Sequence, residues 1–273
     1  MNTSTQALDT TVPAGRERPA VELRNVTKQF QLASGRTVTA VNDLSLTIPQ
    51  GQFVCLVGPS GHGKSTLLNM LAGFTPLSQG QILANGKQVT GPGPDRGVVF
   101  QRDTLFLWRR VADNVGFGLA ARGVPAAERK RVVDRYLRLT GLERYGRAWP
   151  KQLSGGMRRR VAIATVFANE PGILLMDEPF VGLDYARRAD LYEVLGTLRA
   201  QSNCTVLFIT HEIDEALVLG DRMLVMVGGE IALDEPIDLP RPRTGREITS
   251  PRAQELKAAV IARLDAAQIQ DEA

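Results

Sequence analysis

Gly58-Pro59-Ser60-Gly61-His62-Gly63-Lys64-Ser65-Thr66 places three glycines before an ammonium and two adjacent hydroxyls. The apolar run Phe53–Val57 precedes it and Leu67-Leu68-Asn69-Met70-Leu71 follows, giving a strand, a loop and a helix in that order. Such a loop cradles phosphates. Its glycines let the backbone curl so that successive amides point at phosphate oxygens, and the helix adds its positive end. In that chemistry Lys64 neutralises the β- and γ-phosphates, Ser65 ligates Mg²⁺ and Thr66 adds a contact near the α-phosphate. His62 occupies a variable position of the loop and is read as a spectator.

Gly172-Ile173-Leu174-Leu175-Met176-Asp177-Glu178 is an apolar run that ends abruptly in two carboxylates. It reads as a buried parallel strand, and ligands of α/β folds sit at such strand ends. Asp177 is placed to hold the hydration shell of a Mg²⁺ ion. Glu178 can accept a proton from, or orient, a water that attacks the γ-phosphate. In isolation the pair would read as a helix cap or a solvated turn; the phosphate loop argues for the chemical reading.

Leu153-Ser154-Gly155-Gly156-Met157 opens a basic helix with a small hydroxyl and two glycines. Two readings fit these residues alone. Ser154 could cap the helix by accepting from its orphan amides, or the turn could bind an anion.

The elements that must position these groups follow from the rest of the chain. With 273 residues and 43% hydrophobic content, the sequence suits a soluble globular core. The formal charge of +4 is a small excess over many charges of both signs and gives little support for nucleic acid or anionic lipid partners. No apolar run is long enough to span a bilayer, and the polar N-terminus lacks a signal peptide's apolar stretch, so a cytosolic protein is expected. Cys55 and Cys204 lie in apolar strand-like runs without metal-ligand spacing and read as reduced, buried thiols.

Along the chain, residues 1–20 lack periodicity and read as a mobile arm. Val21–Val26 and Val38–Ile48 alternate as antiparallel strands around a turn at Ala33–Arg36. Ile82–Lys87 suggests a hairpin and Gly97–Phe100 a core strand. From about 101 to 165 the pattern is helical, with Val111–Ala121 and Ala126–Leu139 carrying the apolar spacing, which predicts an inserted helical subdomain. Strand and helix alternation then returns through Val227. The expected fold is α/β, a P-loop NTPase core over 21–240 with an antiparallel β layer, followed by an extension at 241–273. Ser250-Pro251 predicts the start of a terminal helix whose Leu256, Val260 and Leu264 share one face. Packing on the body is the first reading for that helix; docking to a partner or a lipid surface is the other.

Gly58–Thr66, Gln101, Leu153–Met157, Ile173–Glu178, Asp184 and His211 occur in the order found in ATP-binding subunits of ABC transporters, and the chain resembles that family over most of its length. TVLFITHEIDEAL (205–217) and DLPRPR (238–243) are similar to the importer branch for nitrate, sulfonates, taurine or bicarbonate. The resemblance implies ATP hydrolysis with Mg²⁺. It also implies a homodimer closing on two ATP molecules, integral membrane permease subunits as partners, an extracytoplasmic solute-binding protein acting indirectly, and a place at the cytoplasmic face of the membrane.

By the same resemblance, Gln101 touches Mg²⁺ or the attacking water, and His211 donates to the γ-phosphate. Phe30 stacks on adenine, with core packing as its alternative. Asp184 links the two ATP sites or simply caps the next helix. Leu153–Met157 meet the γ-phosphate bound by the other subunit. Trp108-Arg109-Arg110 lie where the helical subdomain meets the permease, with solvated charge as the alternative. The sequence departs from the family pattern at His62, at Arg159 where Gln is usual, at Thr165 where Arg is usual, and at Val181-Gly182. A soluble ABC ATPase acting on DNA or ribosomes is the alternative. The sequence has neither a long coiled-coil insertion nor a second cassette, and both absences argue against it.

Overall fold

The computed structural model describes residues 19–102, 104–243 and 246–271, with side chains up to 266. Residues 1–18 of the expected arm lie outside them.

Strands β1 (Val21–Gln31) and β2 (Thr37–Ile48) pair antiparallel. Their inward residues, among them Val21, Leu23, Val26, Val41, Leu44 and Ile48, are buried, but irregularities in the pairing between Leu23 and Val26 and between Val26 and Lys28 interrupt the predicted alternation, and Thr27 and Lys28 are buried as well. β3 (Phe53–Val57) is buried throughout and leads through the glycine loop into α1 (Lys64–Ala72). β4 (Gln79–Ala84) and β5 (Lys87–Gln88) form the expected hairpin, turning at Asn85 and Gly86 with φ of 50° and 76°. β6 (Arg96–Val99), expected as a core strand, instead lies at the edge of its sheet with only Val99 of its four residues buried.

The helical region begins with α2 (Val111–Val115) and α3 (Phe117–Ala121). Val111–Ala121 is therefore two short helices, because the chain breaks at Gly116, packed against Val133 of α4 (Ala126–Leu139). α5 (Gly155–Phe167) leads to β7 (Ile173–Asp177), α6 (Tyr185–Ala200), β8 (Thr205–Thr210), α7 (Ile213–Leu219) and β9 (Arg222–Val227). A further strand, β10 (Glu230–Pro236), pairs antiparallel with β9, and α8 (Pro251–Asp271) follows.

Among the described residues two sheets result, one ordered β2-β1-β4-β5 and one ordered β10-β9-β3-β8-β7-β6. In the second, β9, β3, β8, β7 and β6 run parallel. One core lies between the two sheets around Leu67, Leu68, Met70 and Leu71 of α1. The other lies on the far face, under α2, α5, α6, α7 and α8. Buried Ala253, Leu256 and Val260 seat α8 on the body, the first of the two readings offered by its apolar stripe.

The DLPRPR segment has a packing role here. Arg243 donates to the carbonyls of Leu217, Gly220, Ile237 and Leu239, and Arg241 donates to Leu219 and Gly220 and to the Asp221 carboxylate. The two guanidiniums thereby satisfy carbonyls left open at the end of α7. Burial lowers the Arg243 pKa to about 10, helped by the neighbouring charge of Arg241.

Candidate functional site

β3 lies between β9 and β8, and the phosphate loop leaves its carboxyl end as expected of a parallel sheet. Gly61 and Gly63 take φ of 86° and 96°, and Gly63 caps α1. A Cβ on Gly63 would sit 2.0 Å from the Ala40 carbonyl oxygen, and one on Gly58 2.2 Å from that of Met226. Glycine is thus required at both by contact, and at Gly63 by backbone conformation as well. Lys64 is 5% exposed and folds back on the loop, donating to the carbonyls of Gly58 at 2.8 Å and Pro59 at 2.6 Å. Burial lowers its pKa, against the opposing pull of Glu178 and Asp177.

His62, expected to be idle, accepts a 3.0 Å hydrogen bond at Nδ1 from the Gly228 amide. It ties the loop to the turn between β9 and β10. Pro59, Ser60, Ser65 and Thr66 complete the loop, with Ser60 and Ser65 exposed and Thr66 half-buried.

Asp177 and Glu178 stand at the end of β7, next to this loop. Ser65 Oγ donates to Asp177 Oδ1 at 3.2 Å. Burial raises the Asp177 pKa, and the Ser65 hydrogen bond partly offsets this. A hydroxyl and a carboxylate, with the Gln101 carboxamide as a third oxygen donor in the expected set, make a hard donor group that fits Mg²⁺. Glu178 has φ of 43°, a left-handed conformation uncommon for a residue with a Cβ. Its amide is held by the Ile209 carbonyl at 3.0 Å, so the surrounding sheet keeps the strained turn in place.

His211 follows β8, and its Nδ1 lies 3.4 Å from Glu178 Oε2. Its Nε2 lies 3.9 Å from Glu212 Oε1. Behind it is a network that the sequence reading missed. Thr210 Oγ1 donates to Glu215 Oε2 at 2.6 Å and accepts from the Glu212 amide at 3.0 Å. Tyr192 donates to Glu215 Oε1 at 3.2 Å, and Arg188 pairs with Glu212 at 3.2 Å and with Glu215 at 3.8 Å. Burial raises the pKa of Glu215, while its hydrogen bonds from Thr210 and Tyr192 pull the other way. The signal was a carboxylate four residues beyond His211 on a helix whose inward face is apolar. A cavity of about 130 Å³, lined by Glu178, Val181, Gly182, His211 and Glu212 among others, opens beside this cluster.

Gln101 is exposed just past β6, and its main-chain carbonyl accepts from Arg159 Nη2. Phe30 is 40% exposed near the end of β1, with Lys28 Nζ 4.7 Å from its ring centroid, so it is not consumed by the core.

Of the signature residues, Ser154, Gly156 and Met157 line a separate cavity with Arg187, Asp190 and Leu191 of α6. Ser154 caps α5, its Oγ accepting from the Met157 amide at 3.3 Å; Leu153 is buried, and Gly155 and Gly156 form the first turn. Of the three arginines that follow, Arg158 donates to the Leu153 carbonyl at 2.9 Å and Arg160 pairs with Asp190 at 3.1 Å. Asp184 caps α6, accepting from the Arg187 amide at 3.0 Å. Both cap readings therefore hold in the single chain, and neither excludes a second role across a dimer.

Trp108 and Leu107 are 72% and 60% exposed. Asn114, 1% exposed, fixes this loop through hydrogen bonds with Phe106, Arg109 and Arg110, a device with no sequence signature.

Residues 41–181 match the model of the ABC transporter family. An uncharacterized ABC transporter ATP-binding protein of Methanocaldococcus jannaschii is 45% identical over 232 residues, 84% of this chain and 86% of that protein. A taurine import ATP-binding protein of Rhizobium johnstonii is 50% identical over 197 residues, covering 72% and 75% of the two chains. A bicarbonate transport ATP-binding protein of Synechococcus elongatus is 40% identical over 233 residues, 84% of this chain and 35% of that longer protein. Among solved structures, a dimeric ATP-binding cassette bound to ADP and Pi superposes with a TM-score of 0.71 at 31% identity, over 80% of this chain and 98% of that one.

Proposed function

The chain belongs to the ABC transporter family and is an ATPase, and from that premise we propose that it energises an importer for a small anion such as taurine, a sulfonate, nitrate or bicarbonate. The names of the relatives support the cargo class. In the structure, the observation that carries the hydrolytic reading is Glu178, held in a strained turn between the phosphate loop and His211.

In the proposed mechanism the Gly58–Thr66 amides and Lys64 hold the triphosphate, Lys64 exchanging its loop carbonyls for phosphate oxygens. Ser65, Asp177 and Gln101 would hold Mg²⁺, which would supply positive charge to offset that of the triphosphate. Glu178 Oε accepts the proton of the attacking water or fixes its direction. His211, with Nδ1 turned to Glu178, presents Nε2 to the γ-phosphate. Phe30 offers a ring face to adenine.

Two copies complete the site. Leu153–Met157 of one copy face the γ-phosphate held by the other, and Asp184 lies between the two sites. The exposed Leu107 and Trp108 on the helical region are the proposed contact with the permease, where an apolar ring beside cations suits an anchor. The proposed location is the cytoplasmic face of the membrane, as a peripheral subunit. Among the described residues no helix is long and apolar enough to cross one.

The cargo is tested by reconstituting the chain in proteoliposomes with permease and solute-binding protein subunits from the same cell. Uptake of taurine, an alkanesulfonate, nitrate or bicarbonate that requires ATP and stops with Glu178→Gln supports the proposal. ATP hydrolysis without uptake of any of the four counts against the anion assignment.

A further inference from the structure

Arg159 lies in the second turn of α5, the helix whose first residues are the signature glycines. Its side chain does not follow the helix surface to solvent. Arg159 is 6% exposed and crosses to the strand end after β6, where Nη1 donates to the Phe100 carbonyl at 2.7 Å and Nη2 donates to the Gln101 carbonyl. Two consecutive main-chain carbonyls are thus held by one guanidinium. That geometry needs a rigid fork of donors on separate nitrogens. A Gln side chain has a single donor nitrogen, and a Lys has one ammonium that cannot span both carbonyls in the same way.

Gln101 and Ser154 address different ATP molecules in the closed dimer, Gln101 the one bound by its own phosphate loop and Ser154 the one bound by the partner. Arg159 joins the backbone of the first to the helix that carries the second. α5 is in turn packed against α2, α4 and α6, so the tether ties Gln101 to a helix held on several sides.

We propose that Arg159 is a positioning residue that holds Gln101 at its working distance from the nucleotide and couples it to the signature helix. This rests on the hydrolytic reading given above, with Gln101 at the Mg²⁺ or the attacking water.

The test is a double-mutant cycle on the full chain, with kcat and KM for MgATP measured for Gln101→Ala, Arg159→Met and the pair. Each single change is expected to lower kcat about tenfold with KM altered less than about threefold, and the pair to be no more than about twofold slower than the slower single variant. Arg159→Lys should recover part of the loss. Effects that multiply in the double variant overturn the coupling, and so does wild-type kcat in folded Arg159→Met. A wild-type kcat in Gln101→Ala is a different failure: it removes Gln101 from the reaction and the proposal falls with it.

Should Arg159→Met not fold, Arg159→Gln serves in the same cycle, and amide hydrogen exchange of whichever variant folds is a second measurement. The segment 97–102 should exchange at least about fivefold faster than in wild type while β7 is unchanged. Unaltered exchange at 97–102 contradicts the tether.

Discussion

His211 Nδ1 and Glu178 Oε2 lie 3.4 Å apart, across two strand ends that neighbour each other in the sheet. β8 delivers the imidazole and β7 the carboxylate, and the parallel register of Asp177 with Ile209 sets their spacing. In the proposed mechanism this contact orients the carboxylate and the imidazole toward the γ-phosphate, which spares reorganisation during the reaction.

His211→Ala should therefore lower kcat by roughly a hundredfold, and Glu178→Gln by at least that much, with ATP affinity changed only a few-fold. Steady-state ATPase rates combined with equilibrium nucleotide binding measure both quantities. If His211→Ala raised KM in proportion while kcat stayed level, the imidazole would be a binding group only.

The network behind His211 predicts a second effect. Glu215→Ala removes the acceptor for Thr210 and Tyr192 and one of the two carboxylates that face Arg188. Leaving those groups unpaired in a largely buried place should cost about 2–4 kcal/mol. The melting temperature should fall by several degrees, and the rate at a temperature where the variant is folded should drop because Thr210 no longer fixes the turn into His211. An unchanged melting temperature would show that the buried network contributes no net stability.

Asp221 supplies the pH dependence. Burial acts to raise its pKa, but the Phe53 amide, Arg199 and Arg241 together outweigh this and hold the carboxylate below its ordinary range. A depressed folded-state pKa means that the unfolded chain binds the proton more readily. The stabilisation is complete above the unfolded value of about 3.9 and is lost as the pH falls through the lower folded value. Asp221→Asn should thus be less stable at neutral pH by about 2 kcal/mol and show a shallower loss in acid. Chemical unfolding at pH 7 and at stepped acid pH gives the comparison; parallel acid limbs for the two proteins contradict the assignment.

Much of the site was legible because each motif combines a local backbone demand with a chemical one. The phosphate loop needs glycine at Gly63 for both conformation and space, and β7 needs an apolar run that stops at Asp177; each leaves a plain mark in the sequence. What was illegible depends on contacts between distant segments. Arg159 on Phe100 and Gln101, His62 on Gly228, and Asn114 on the Phe106–Arg110 loop are single polar residues whose partners no periodicity reveals. β10 was missed because it is an edge strand with exposed Glu230 and a terminal Pro236. The break at Gly116 was missed because the apolar spacing continues across it.

In the proposed dimer each active site takes Glu178 and the phosphate loop from one copy and Ser154 from the other. The most direct measurement is the solution mass of Glu178→Gln with MgATP, by light scattering, beside that of the double variant Glu178→Gln, Ser154→Arg. The account predicts a dimer for the first and, for the second, a monomer that still binds ATP. A dimer that persists unchanged with Ser154→Arg would contradict it and leave Ser154 as the cap of α5 alone.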